Sequence, residues 1–230
     1  MELIHKGKVK SVFDNQDGTV TIEFRDDITA GDGAKHDLLP GKGALSNAIN
    51  HVFFRRLKEE GVPSHYLGKV SERSFRALKL QIFPLEVVVR NFTAGSFCKR
   101  YGLEKGKKLE PPLVEFFLKN DQLHDPLICP KAILALKIAT LEELEGMEKL
   151  ALSVNQALFT FLRERKLILA DFKIEVGKGR EGLMVADEIT PDSCRFWDLE
   201  TGDSLDKDIY RQSAGDPLVA YREVLRRISA

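Results

Sequence analysis

Hydrophobic and polar positions change rhythm inside one segment of the chain, LILADFKIEVGKG at residues 167–179. Four apolar residues, Leu167 to Ala170, run into strict alternation. Asp171, Lys173 and Glu175 take every second place, with Phe172, Ile174 and Val176 between them. Successive side chains of a strand point to opposite faces. The pattern therefore predicts one strand with an apolar face and a face reading acid, base, acid. Periodicity alone fits a wet surface and an active-site floor equally well.

Elsewhere the same reading yields a mixed α+β chain. KVKSVF and TVTIEF alternate around the turn-rich DNQDG and predict a hairpin. Residues 27–43 are glycine-rich and polar and read as a long loop. Leu45, Ile49, Val52, Phe53 and Leu57 recur at helical spacing over 44–60, and Gly61 stops the helix. Residues 65–90 return to strand character and close with PLEVVVRN. AGSFCKRY, residues 94–101, predicts a short helix stopped by Gly102, followed by a Pro- and Lys-rich connection. Thr140 and Glu143 match a capping box. Leu141, Leu144, Met147, Ala151, Val154, Leu158 and Phe161 continue that helix on one face. GLMVADEIT predicts a second strand after 167–179, and 207–228 a closing helical segment. Strand-rich character gives way near residue 85, so two lobes are expected, 1–84 and 85–230.

Composition narrows the partners. Of 230 residues, 43% are hydrophobic and 30% charged, and 35 basic residues balance 35 acidic ones. That balance argues against a nucleic-acid or membrane partner held by bulk charge. The odd cysteine count, Cys98, Cys129 and Cys194, shows no CxxC pair. It implies a reducing, cytoplasmic setting rather than a disulfide framework. No apolar run approaches the roughly 18 residues of a membrane span, and the opening MELIHKGKVKSVF lacks a signal-peptide core.

Three places carry candidate chemistry. In KGKVKS, residues 6–11, Gly7 permits close backbone approach, and Lys8 and Lys10 would share one face of a strand beginning there. Two such lysines serve a polyphosphate clamp or simply guard an edge strand. GxxxxGK[ST] is absent, which excludes a P-loop. In VVVRNFTAGSFCKR, Arg90 ends a buried strand and Ser96 follows a small-residue helix start, a combination suited to an anion. The third place is the 167–179 strand itself. Asp171 and Glu175 lie roughly 13 Å apart by strand rise, with Lys173 between them. Asp187 or Glu188 on the next strand joins Glu175 according to register, and a carboxylate pair of that kind suits Mg²⁺. Arg195 and Arg211 add cations, and Trp197 reads as packing.

GKVKSVF, EFRDDITAGDG, VVVRNFTAGSFCKR, FFLKNDQLHDP, LILADFKIEVG, VADEITPDSCRFWD and DKDIYRQ occur in this order across essentially the whole chain. The set closely resembles the SAICAR synthetase family of purine biosynthesis. That resemblance implies an N-terminal antiparallel β lobe and a larger α/β lobe with ATP between them, distantly like ATP-grasp enzymes and kinases. It implies an ATP- and Mg²⁺-dependent ligase joining L-aspartate to carboxyaminoimidazole ribonucleotide, and a homodimer. Lys8 and Lys10 match the ATP-phosphate lysines, Lys119 a nucleotide contact, and QIFPLE the linker beside adenine. Glu175 and Asp187 match the magnesium carboxylates. Arg90, Ser96 and Arg195 match ribonucleotide positions. Asp171 and Lys173 match residues of the same floor, Lys173 beside the substrate's anionic groups and Asp171 a candidate base. For aspartate, the 31–43 loop and Arg211 are the expected contacts. Gly31 departs from the family, which often carries a bulky aromatic residue there.

Overall fold

Two five-stranded antiparallel sheets and a two-stranded one carry the chain, and the computed structural model describes residues 1–31 and 33–230 of it. Asp32, within the segment expected to contact aspartate, lies outside the described residues. In order, the N-terminal elements are β1 (Glu2–Lys6), β2 (Lys10–Asp14), β3 (Thr19–Phe24), β4 (Asp27–Ala30), β5 (Lys35–Leu38), α1 (Lys42–Glu59), β6 (Tyr66–Lys69) and β7 (Ser74–Leu78). Then come β8 (Gln81–Phe92), α2 (Gly95–Tyr101), β9 (Lys108–Leu118), α3 (Pro130–Ala135), α4 (Leu141–Glu164) and β10 (Leu167–Gly179). The chain closes with β11 (Gly182–Ala186), β12 (Cys194–Asp198), α5 (Asp208–Arg211) and α6 (Pro217–Ile228). The first sheet runs β1-β2-β3-β7-β6; the second runs β11-β10-β8-β9, with β12 also on β10.

The expected β2–β3 hairpin forms, with Lys10 opposite Phe24 and Asp14 opposite Val20. The segment expected as a loop over 27–43 instead contains the two-stranded β4–β5 ladder. QIFPLE, expected as the linker beside adenine, forms the first half of the long strand β8, which follows the last strand of the first sheet into the second. The Pro- and Lys-rich connection hides β9, an edge strand of the second sheet. Pro111 and Pro112 are tolerated there because an outer strand leaves one row of N–H groups unpaired. Residues 207–228 split into two helices, and DEIT falls beyond the end of β11.

Helix α4 starts as its sequence predicts. Thr140 Oγ1 accepts from the Glu143 N–H at 3.2 Å, and Glu143 Oε2 accepts from the Thr140 N–H at 3.0 Å. Its buried stripe includes Leu144, Met147, Ala151, Val154, Leu158 and Phe161, whereas Leu141 stays exposed. This stripe packs with Phe53 and Leu57 of α1 and Tyr221 and Val224 of α6 against the second sheet in one core.

The change of rhythm in β10 has a structural cause. Its pairing with β12 goes from Leu169 opposite Phe196 to Asp171 opposite Arg195, so Ala170 is an extra, bulged residue. Before the bulge Leu167 and Leu169 enter the main core; after it Phe172, Ile174 and Val176 do. Ala170 packs separately with Ala94 and Trp197. The bulge reverses which parity is buried and turns Asp171, Lys173 and Glu175 together toward the opposite face.

Candidate active site

That opposite face floors a cleft of about 1000 Å³ whose other wall comes from the first sheet and the 29–31 segment. Lys8, Lys10, Arg90, Ser96, Lys119, Asp171, Lys173, Glu175, Asp187, Arg195 and Arg211 all line it. Residues scattered from position 8 to position 211 therefore gather along one cleft.

At one end, β1 turns into β2 through Gly7, Lys8 and Val9, with the Gly7 N–H donating to Lys10 O at 2.9 Å. Lys8 thus sits in the turn and not on the β2 face with Lys10, which corrects the shared-face expectation. Its ammonium meets Asp121 at 3.0 Å. Arg25 braces this turn: its guanidinium donates to the carbonyls of Gly7 and Lys8, each at 2.7 Å, and of Lys10 at 3.1 Å. Val12, Val20, Ile22, Ile82 and Phe117 supply apolar walls beside it.

In the middle lie the carboxylates. Glu175 Oε1 takes the Lys119 ammonium at 2.5 Å and lies 4.0 Å from Lys173 Nζ. Lys173 also reaches Glu86 at 3.1 Å and Asp187 at 3.6 Å. Lys10 bonds Asp187 and reaches Glu188 at 2.8 Å. Burial opposes charge on Lys10 and Lys173, but the surrounding carboxylates, Asp187 foremost, outweigh it and hold both ammoniums above their usual range. Burial likewise opposes the Asp187 anion, yet Lys10 and Lys173 hold that carboxyl far below the usual range.

The register of β10 with β11 resolves which acid arrives, and not by simple pairing. Glu175 lies opposite Ala186, the register that by alternation alone would offer Glu188. Asp187 reaches the site because the ladder has ended and its backbone turns left-handed, φ 65°. Aspartate tolerates that region better than most residues. His65, buried between Phe54 and Phe75, donates from Nε2 to the Asp187 carbonyl at 3.0 Å. Burial keeps His65 neutral by lowering its pKa from 6.5 to about 4. Glu188 is present as well, so both acids face the cleft.

At the far end, Asp171 is clamped between two guanidiniums. Arg90 Nη1 donates to it at 2.9 Å, and Arg195 Nη1 at 2.9 and 3.1 Å. Arg90 also donates to Glu115 at 2.6 Å, and Ser96 Oγ lies 3.5 Å from both Arg90 and Arg100. Arg195 Nε and Arg211 Nη1 share Asp208, at 2.8 and 2.6 Å. Gly95 is left-handed, φ 52°, and the Arg195 Cζ would stand 2.6 Å from a Cβ there. Of the segment expected to meet aspartate, Gly31 lines the cleft, while Lys35 and Asp37 instead bond Tyr210 and dock β5 onto α5.

The donors that converge mid-cleft are carboxylate oxygens. No group of three His, Cys, Asp or Glu among the described residues forms a ready-made metal cage. Mg²⁺ favours that situation, since it keeps water and takes one or two carboxylates with substrate phosphates. Glu175 and Asp187, both within reach of the Lys173 ammonium, fit such an ion. The sequence reading gave no role to Glu86, Glu115, Asp192, Lys207 and His65, which partner or accompany the predicted residues, although Glu86, Asp192 and Lys207 fall inside the quoted stretches QIFPLE, VADEITPDSCRFWD and DKDIYRQ.

Comparison with known proteins agrees with this geometry. The family model described as SAICAR synthetase matches residues 3–228. The phosphoribosylaminoimidazole-succinocarboxamide synthase of Methanocaldococcus jannaschii is 49% identical over 226 residues, covering 98% of this chain and 93% of that protein. The crystal structure of the synthase of that name from Ehrlichia chaffeensis superposes with TM-score 0.96 at 37% identity, over 100% of this chain and 99% of that one. A SAICAR synthetase solved in complex with ADP superposes with TM-score 0.95 at 44% identity, over 97% of this chain and 96% of that one.

Proposed function

This chain belongs to the SAICAR synthetase family, and from that premise we propose how its cleft joins L-aspartate to the carboxylate of carboxyaminoimidazole ribonucleotide at the expense of ATP. The observation that carries the proposal is the floor of β10, where one bulge aims Asp171, Lys173 and Glu175 into a cleft already holding Lys10, Lys119, Asp187 and Arg195. Residues 1–84 form the nucleotide lobe and 85–230 the lobe carrying the acid and ribonucleotide positions. ATP lies against the apolar wall of the first sheet, its phosphates toward Lys8 and Lys10 and its sugar side toward Lys119. A relative 44% identical to this chain was solved in complex with ADP, which supports an adenine nucleotide as a ligand.

Glu175 and Asp187 would hold Mg²⁺, which would offset charge on the phosphates. Arg90, Ser96 and Arg195 take the phosphate of the ribonucleotide, which points its carboxylate at Lys173. That carboxylate attacks the γ-phosphate, ADP departs, and an acyl phosphate forms. The amine of aspartate then attacks the acyl carbon, and phosphate leaves with the amine's proton. Lys173, held charged by the surrounding carboxylates, Asp187 foremost, neutralises the oxygens that gain charge in the first step. The remaining work is positioning. Asp171 has its oxygens engaged by Arg90 and Arg195, so its role is to fix those guanidiniums and not to collect the amine's proton.

The working enzyme is read as a cytoplasmic homodimer, which light scattering tests. Heavy-oxygen label in the ribonucleotide carboxylate tests the acyl phosphate. Label appearing in released phosphate supports it, and the departing carboxylate oxygen appearing in water with the phosphate unlabelled refutes it.

A further inference from the structure

Beyond Arg195 the cleft contains a cation that the reaction above leaves unused. Lys207 immediately precedes α5 and lines the cleft beside Asp192 and Arg211. Its side chain is only 12% exposed, and its ammonium lies 4.0 Å from Asp192, beyond hydrogen-bond distance. Asp192 is already engaged. The fully buried Lys42 bonds its Oδ2, and the Tyr221 hydroxyl donates to its Oδ1 at 2.7 Å. One carboxylate therefore serves two ammoniums, and Lys42 holds the nearer place.

Lys207 is left with three donors and no acceptor at hydrogen-bond distance among the described residues. Arg211 follows one helical turn later, and its like charge adds repulsion. Burial, only partly opposed by Asp192, lowers the proton affinity of Lys207 as expected for a cation short of a counter-charge. A nearly buried ammonium in that state is costly unless an anion completes it.

We propose that Lys207, with Arg211 beside it, seats a carboxylate of the dicarboxylic amino acid substrate; this rests on the ligase reading above. The ribonucleotide phosphate has its own seat at Arg90, Ser96 and Arg195. Aspartate brings two carboxylates, and Thr29, Ala30 and Gly31 line the same cleft with small side chains.

Two experiments on the full chain test the proposal. In steady-state kinetics, K207M raises the KM for L-aspartate by about tenfold or more, as loss of one partner of a buried charge pair requires. The KM values for ATP and ribonucleotide stay within about twofold, and K207R recovers most of the aspartate KM. An unchanged aspartate KM, or a rise that falls on the ribonucleotide instead, overturns the assignment. The second experiment uses the wild-type protein and does not depend on the variant folding. Acetic anhydride labelling followed by peptide mapping must show Lys207 protected by L-aspartate or succinate and not by inorganic phosphate. Absence of protection by either dicarboxylate overturns the proposal. A wild-type enzyme that releases no ADP with aspartate, yet shows that protection, contradicts the ligase reading and not the carboxylate seat.

Discussion

His65 donates to the backbone carbonyl of Asp187 at 3.0 Å, at the residue where the chain leaves β11 in a left-handed conformation. The aromatic packing of His65 thereby fixes the direction of an acid that simple strand alternation would have turned away. Replacing His65 by Ala strands a buried carbonyl, at a cost of about 1–3 kcal/mol in urea unfolding. It also releases the Asp187 turn, so the KM for ATP rises while that for aspartate is spared.

Arg25 stands in the same relation to the phosphate turn, with bonds to three of its carbonyls. R25K keeps the charge but cannot span the fork of acceptors. Its ATP KM is expected to rise about tenfold, as loss of one or two hydrogen bonds that fix the turn implies, with the ribonucleotide KM unaffected. Equal effects on all three substrates would assign Arg25 to general stability.

Gly95 must lack a side chain, because the Arg195 guanidinium occupies the space of its Cβ and φ is 52°. G95A displaces Arg195 and, with it, one clamp on Asp171. Calorimetric titration should show weakened ribonucleotide binding with ADP binding retained.

Asp206 is fully buried, accepts from the N–H groups of Phe196 and Asp208, and has its pKa pushed up to about 7 by burial and the nearby Asp208 charge. A carboxyl whose folded pKa lies above its unfolded value of 3.8 binds its proton more tightly in the folded state. Its contribution is fully present below that unfolded value and is lost as pH rises through about 7. Urea unfolding from about pH 4 to about pH 7 should show the stability difference between wild type and D206N shrinking by a few kcal/mol as pH rises. A difference that stays flat would contradict the tighter proton binding of Asp206 in the folded state.

Much of this was legible because alternation and helical spacing report burial directly. The β2–β3 hairpin, α4 with its cap, and the acid-base-acid face of β10 all follow from residue order. Three features were not. The bulge at Ala170 is a single extra residue without compositional trace, yet it decides which parity of β10 is buried. β9 was masked by Pro111 and Pro112, which only an edge position accommodates. The Asp192 cluster unites Lys42 and Asp192 across 150 positions, and no local pattern announces such a partnership.

Glu175→Gln keeps the shape of a side chain that Lys119 and Lys173 now neutralise. It removes one of the two carboxylates assigned to Mg²⁺, so turnover is expected to fall by orders of magnitude with the circular dichroism spectrum unchanged. An E175Q enzyme with wild-type rate and Mg²⁺ dependence would sink the metal assignment.

The most direct test of the ligase itself is ADP release by the wild-type chain with ATP and Mg²⁺, measured with ribonucleotide and L-aspartate together and with each omitted in turn. Sustained ADP release only when both are present, matched mole for mole by an amide product, is the predicted result. Sustained release independent of aspartate, or none under any combination, would contradict the account.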